Sequence, residues 1–186
     1  MGIKKSFTFI EVIVVISIIG LIIPAIFSVI FGLVREQLKV YRLSVVKKQG
    51  DFILNNFSTL IKNDAKTIHS ANPPSDANEQ CAAANSNYTS TNGLYFLDPD
   101  NNWFGLTLSS GQISSSSAST NVNYNSSQTI VSGMTMTCQK SGLYSAPIIT
   151  LDFDICYETT TGVCSSTRPE DTATLHYETT IQLQSF

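Results

Sequence analysis

Residues 7–34, FTFIEVIVVISIIGLIIPAIFSVIFGLV, hold a single ionisable side chain, Glu11. As a helix this run would extend roughly 42 Å, more than the roughly 30 Å hydrocarbon core of a bilayer. The run therefore predicts a membrane-crossing helix. A secretory signal would have a shorter apolar stretch, about 7 to 15 residues, with a small-residue cleavage site behind it. Here the small residue next to basic ones, Ser6, stands in front of the run. A cut at Ser6 would remove Lys4 and Lys5 and leave the apolar helix intact.

Two residues inside the run carry physical consequences of their own. A carboxylate one turn into an apolar helix costs about 2.5 to 3.5 kcal/mol at mid-membrane, less near the interface, so Glu11 is expected to have a partner. An ammonium group would serve. Pro24 removes a backbone hydrogen bond and crowds the preceding turn, which predicts a kink or a locally melted segment.

The stretch KKSFTFIEVIVVISIIGLI resembles the N-terminus of type IV pilins and type II secretion pseudopilins. The resemblance covers about the first 30 residues and implies a leader cut between Ser6 and Phe7, a methylated Phe7 as the new N-terminus, and Glu11 as the acidic residue that sets subunit register. That family prefers Gly where this chain has Ser6. As partners it implies other pilin or pseudopilin subunits, a prepilin peptidase, inner-membrane assembly machinery and membrane lipid. The location it implies is a single-pass protein of the cytoplasmic membrane with its head outside the cytoplasm, later part of a periplasmic or cell-surface filament. A plain count of flanking cations opposes this, because Arg35, Lys39, Arg42, Lys47 and Lys48 outnumber Lys4 and Lys5. The leader pattern, the cysteine placement and the Ser/Thr/Asn-rich head outweigh that count.

Charge divides the chain into a basic stem and an acidic head. From Phe7 to Ile68 stand Arg35, Lys39, Arg42, Lys47, Lys48, Lys62 and Lys66 against Glu11, Glu36, Asp51 and Asp64. Beyond lie Lys140 and Arg168 against Asp76, Glu79, Asp98, Asp100, Asp152, Asp154, Glu158, Glu170, Asp171 and Glu178. A head of that sign repels phosphate backbones, so nucleic-acid binding through it is disfavoured.

Past the apolar run, Leu38, Tyr41, Val45, Ile53, Phe57, Leu60, Ile61 and Ile68 recur at helical spacings. They predict an amphipathic continuation to about Ile68, stopped by Asn72-Pro73-Pro74, with Gly50 as a bend or weak point. The expected organisation is a leader (1–6), a transmembrane or filament-core helix (7–34), its amphipathic continuation (35–71) and a β-rich head (72–186). The predicted fold class is α+β and pilin-like, a long helix packed on an antiparallel β-meander.

In the head, Gly93–Leu97 and Trp103–Leu108 flank Asp98-Pro99-Asp100-Asn101-Asn102, a hairpin signature. Thr129–Cys138, Pro147–Glu158 and Thr172–Gln184 read as three long strands. Ile149, Leu151, Phe153 and Ile155 alternate with polar residues, placing Asp152, Asp154 and Glu158 on a solvated face. The low-complexity stretch Ser109–Asn121 reads as a mobile surface loop. Cys81, Cys138, Cys156 and Cys164 all lie in the head at spacings that match no metal motif, so disulfides in an oxidising compartment are expected. Three pairings are open, and the reading leans to Cys81 with Cys138 and Cys156 with Cys164.

Catalysis has little support in the sequence. His69 and His176, the only imidazoles, sit in no recognisable nucleophile motif. No cofactor is expected. Asp98, Asp100 and Asn102 alternate oxygen ligands as calcium could use, but the loop lacks the glycine and distal glutamate of an EF-hand. The expected function is that of a filament subunit, a minor pilin or pseudopilin. The alternative is an uncleaved membrane-anchored adhesin or ligand-binding module.

Overall fold

The computed structural model describes residues 8–118, 120–159, 162, 164 and 172–184. Among the described residues one α-helix, α1 (Phe9–Asp64), leads into ten strands: β1 (Thr67–His69), β2 (Glu79–Gln80), β3 (Ser86–Ser90), β4 (Gly93–Leu97), β5 (Trp103–Ser109), β6 (Gln112–Ser117), β7 (Asn121–Asn123), β8 (Thr129–Lys140), β9 (Ile148–Tyr157) and β10 (Thr174–Gln182), with a 3₁₀ turn, Asp76–Asn78, between β1 and β2. The fold is α+β, a long N-terminal apolar helix laid on antiparallel sheets. Its head is more than the predicted meander. The strands form a six-stranded sheet in the order β2-β1-β4-β5-β6-β7 and a four-stranded sheet in the order β10-β9-β8-β3.

The C-terminal half of α1 is held by one lengthwise seam. Val46, Gly50, Ile53, Phe57 and Ile61 are buried at steps of three and four residues, the spacing that keeps side chains on one face. Phe57 meets the Tyr124 ring at 5.7 Å. Leu38 and Tyr41, expected in this stripe, are instead exposed. Near the start of this seam the Arg42 guanidinium lies over the Tyr157 ring at 5.5 Å. α1 continues through Gly50, which lies under the ring of Tyr177, and that ring occupies the space a Cβ would need.

The predicted helix end at Ile68 is not observed. α1 stops at Asp64, and Ala65 is already extended with φ −83° and ψ 120°. The Lys66 amide then donates to the Leu97 carbonyl at 2.8 Å, and Ile68 pairs with Phe96 across β1 and β4. Ile68 lies two helical turns after Ile61, so it mimics helical periodicity while its burial comes from a sheet. Asn72-Pro73-Pro74 lies beyond, in the β1–β2 connection, where it terminates nothing helical.

The expected loop Ser109–Asn121 is also corrected, because Gln112–Ser117 and Asn121–Asn123 are strands. Ser110 and Gly111 have φ of 50° and 76°, the two positive values that a tight hairpin turn demands. They join β5 to β6, with Ser109 opposite Gln112. Ile113 is fully buried. Its amide donates to the buried Asn125 Oδ1 at 2.8 Å, and Asn125 Nδ2 donates to the Thr129 carbonyl at 2.8 Å. One amide side chain thus ties β6 to the start of β8.

The predicted hairpin and long strands are present. β4 pairs with β5, and β8, β9 and β10 form an antiparallel run. Ile149, Leu151, Phe153 and Ile155 are fully buried, as the alternation requires. Both favoured disulfides, Cys81–Cys138 and Cys156–Cys164, are formed. The first joins the β2–β3 connection to β8, within the same sheet neighbourhood as the Tyr88–Cys138 strand pair.

Candidate functional site

Every residue of α1 from Phe9 to Val34 is exposed, including Ile10 at 66% and Leu21 at 78%. Nothing lies within 4 Å of a Cβ built on Gly20 or Gly32. A helix apolar on all sides belongs in a dry environment, either lipid or other apolar helices. The segment is long and apolar enough to cross a membrane. The helix continues through Pro24 without a melted segment.

At the start of α1 the chain supplies Glu11 with a partner. Thr8 N–H donates to Glu11 Oε2 at 2.8 Å and Thr8 Oγ1–H donates to the same oxygen at 2.9 Å. The Glu11 amide donates back to Thr8 Oγ1 at 3.4 Å. This is a capping box, which satisfies donors that a helix start leaves orphaned. Its Thr-x-x-Glu spacing is a signal the sequence carries locally, beyond the roles expected of Glu11 above. Among the described residues Oε1 accepts no hydrogen bond. Ser6 and Phe7, the predicted cleavage and methylation positions, lie outside the described residues.

The calcium candidate is built as a self-contained turn. Asp98 Oδ1 accepts the Asp100 and Asn102 amides, each at 2.8 Å, and Oδ2 accepts Asn102 Nδ2 at 3.0 Å. Donation by Asn102 is the main reason the Asp98 carboxyl lies below its ordinary range. Asn101 takes the left-handed conformation at φ 61°, common in turns for this residue type. Asp98 therefore spends both oxygens on its own loop, and Asp100 and Asn102 contribute backbone to the same turn.

Strand register assembles a group that the sequence reading did not foresee. His176 stands opposite Asp154 and Glu178 opposite Asp152. His176 Nδ1 is 3.0 Å from Asp154 Oδ1, and Nε2 is 3.2 Å from Asp152 Oδ2. The bond to Asp154, then the field of Asp152, raises the imidazole above its usual pKa. Asp152, His176 and Glu178 can each direct one ligand atom to a common point. Once protonated, the imidazole answers the carboxylates, whose like charges on neighbouring strands would otherwise repel. Asp152 and Asp154 do lie on the outward face, as expected.

His69 is a structural residue. It is 2% exposed. Nδ1–H donates to Asn78 Oδ1 at 2.9 Å and to the Ser75 carbonyl at 3.1 Å, and Nε2 accepts from Thr67 Oγ1 at 2.9 Å. Hydroxyl, imidazole and amide follow one another as in a nucleophile triad. Here, however, Asn78 Oδ1 also accepts the Ser75 amide at 3.0 Å and Nδ2 donates to the Pro73 carbonyl at 2.9 Å. The network closes the loop between β1 and β2 and buries its own base.

These features define a helix of membrane-spanning length carrying a disulfide-stapled β head. No protein-family model, curated protein or solved structure matches the chain.

Proposed function

We propose that this chain is a filament subunit of the type IV pilin or type II secretion pseudopilin kind, acting by assembly rather than catalysis. The observation that carries the reading is the bare, all-round apolar surface of residues 9–34, continuous in one helix with a seam that holds the head. In a membrane that surface is solvated by lipid; in a filament, sister helices of the same kind would replace the lipid at little cost in apolar exposure. The leader is removed between Ser6 and Phe7, Phe7 is methylated, and the head faces away from the cytoplasm, where its disulfides form.

Glu11 has two roles in this reading. Oε2 caps its own helix through Thr8, and Oε1 is left to accept the new amino terminus of a neighbouring subunit. That ion pair, in a dry helix bundle, fixes axial register between subunits. The partners are sister subunits, the prepilin peptidase, the inner-membrane assembly machinery and lipid.

Mass spectrometry of the N-terminus of protein from its native membrane tests the proposal. A chain that starts at methylated Phe7 is expected. A retained Met1 or Gly2 would refute it and favour the uncleaved anchored adhesin.

A further inference from the structure

An unassigned cavity lies at the far end of α1 from the apolar run. It opens between β1 and β2 on one side and the β8–β9 connection on the other, with a volume of about 340 Å³. That size falls in the range of small-ligand sites, roughly 300 to 1,000 Å³. Lys66, on its wall, follows directly after α1. The thirty residues from Arg35 to Asp64 place it about 45 Å along the helix axis from the end of the apolar run.

Its charge is opposite to that of its surroundings. Among the described residues beyond α1, Lys66 and Lys140 are the only lysines or arginines, and both line this cleft. Glu79 is the one carboxylate in the lining. Lys140 Nζ donates to the Ala82 carbonyl at 2.8 Å, which fixes the ammonium in place and leaves two N–H groups for another acceptor. Placing these two lysines in one concavity of an acidic head raises the local concentration of anions there.

The rim has a second character. Leu143 is 65% and Tyr144 is 96% exposed. An exposed tyrosine beside a cleft offers a rigid apolar face with a polar tip, a surface on which flat rings stack. Gln80, also in the lining, adds an amide that can donate and accept.

We infer that this cleft binds a small ligand with a carboxylate on a six-membered ring, the carboxylate held by Lys66 and Lys140 and the ring laid against Tyr144. The site is independent of the filament reading. An uncleaved anchored protein would carry it equally.

The test is a titration of full-length, isotope-labelled protein in a non-ionic polyoxyethylene detergent, followed by amide NMR shifts. The probes are glucuronate, benzoate and, as a neutral control, glucose. Saturable shifts at Gln80, Ala82, Lys140 and Ser145 are expected with at least one acid and not with glucose. Saturation by glucuronate identifies a sugar acid, and saturation by benzoate alone an aromatic one. Lys66→Gln with Lys140→Gln should weaken binding at least about tenfold, as loss of charge-assisted hydrogen bonds does. Tyr144→Ser, at a side chain with almost no contacts to lose, should weaken it while leaving the spectrum of the free protein in place. Shifts that fail to saturate with both acids, equal response to glucose, or unchanged affinity in either variant would overturn the inference.

Discussion

Tyr177 lays its ring on Gly50 and donates its hydroxyl proton to the Lys47 carbonyl at 3.1 Å. β10 thereby reaches the backbone of α1 at the one seam position that has no side chain. The same ring stacks on Phe153 at 5.5 Å, so helix, β10 and β9 meet at a single aromatic. In an exposed helix, Gly50→Ala would gain about 1 kcal/mol from propensity. Here it is expected to destabilise by about 1 to 3 kcal/mol, because the added methyl overpacks the Tyr177 ring. Urea unfolding of the detergent-solubilised protein reads the sign directly. In a Tyr177→Ala background the substitution should become neutral or favourable.

The Tyr177 phenol is pushed up to about 12, from 10.0, by burial first and then by the nearby Asp51 carboxylate. A raised pKa means that the folded state prefers the protonated phenol. Its stabilising contribution is therefore complete below pH 10.0 and lost as pH rises towards about 12. Alkaline absorbance titration should show one tyrosine ionising late. Tyr177→Phe should remove that late step.

His176 should titrate above 6.5, since Asp154 and then Asp152 favour the imidazolium. The cross-strand pairs it makes are present in full below that value and disappear as pH rises through the raised pKa. Imidazole proton shifts measure the midpoint. Asp154→Asn should lower it, and added salt should lower it in the wild type, because the pair is open to solvent.

Thr8→Ala and Glu11→Ala separate two roles of one carboxylate. Loss of the cap costs typically about 1 kcal/mol of helix stability in either variant. Only Glu11→Ala removes the acceptor proposed for a neighbouring amine, so it alone should block incorporation into filaments while the head stays folded and inserted. Immunoblotting of sheared fibres against membrane fractions distinguishes the two. Normal incorporation of Glu11→Ala would contradict the register role.

The disulfides should differ in worth. Cys81–Cys138 closes 57 residues and Cys156–Cys164 closes 8. Chain entropy makes the longer closure more stabilising by roughly 2 kcal/mol. Paired Cys→Ala variants, compared by urea unfolding, should rank in that order.

Elements with strong apolar periodicity were legible in the sequence: the long helix, the β4–β5 hairpin and strands β8, β9 and β10. What escaped was made of polar residues. β3 has only Tyr88 to reveal it, and β6 is mostly serine, held by a Ser-Gly turn and by the amide of Asn125 rather than by its own side chains. The helix end was hidden because Ile68 kept helical spacing while pairing with Phe96. The His176 cluster depends on cross-strand register, which local sequence does not encode. The Thr8 cap is written in the sequence as Thr-x-x-Glu, a local signal that needs no tertiary context.

The seam on α1 runs parallel to the rod for about 23 Å between Val46 and Ile61. A pull applied at the greasy end therefore drags the rod lengthwise through its groove in the head. Val46, Ile53, Phe57 and Ile61 must all slip together, since no end of the contact can peel open first. Such shear geometry lets modest individual contacts resist tension collectively, and the ring over Gly50 acts as a cleat against sliding.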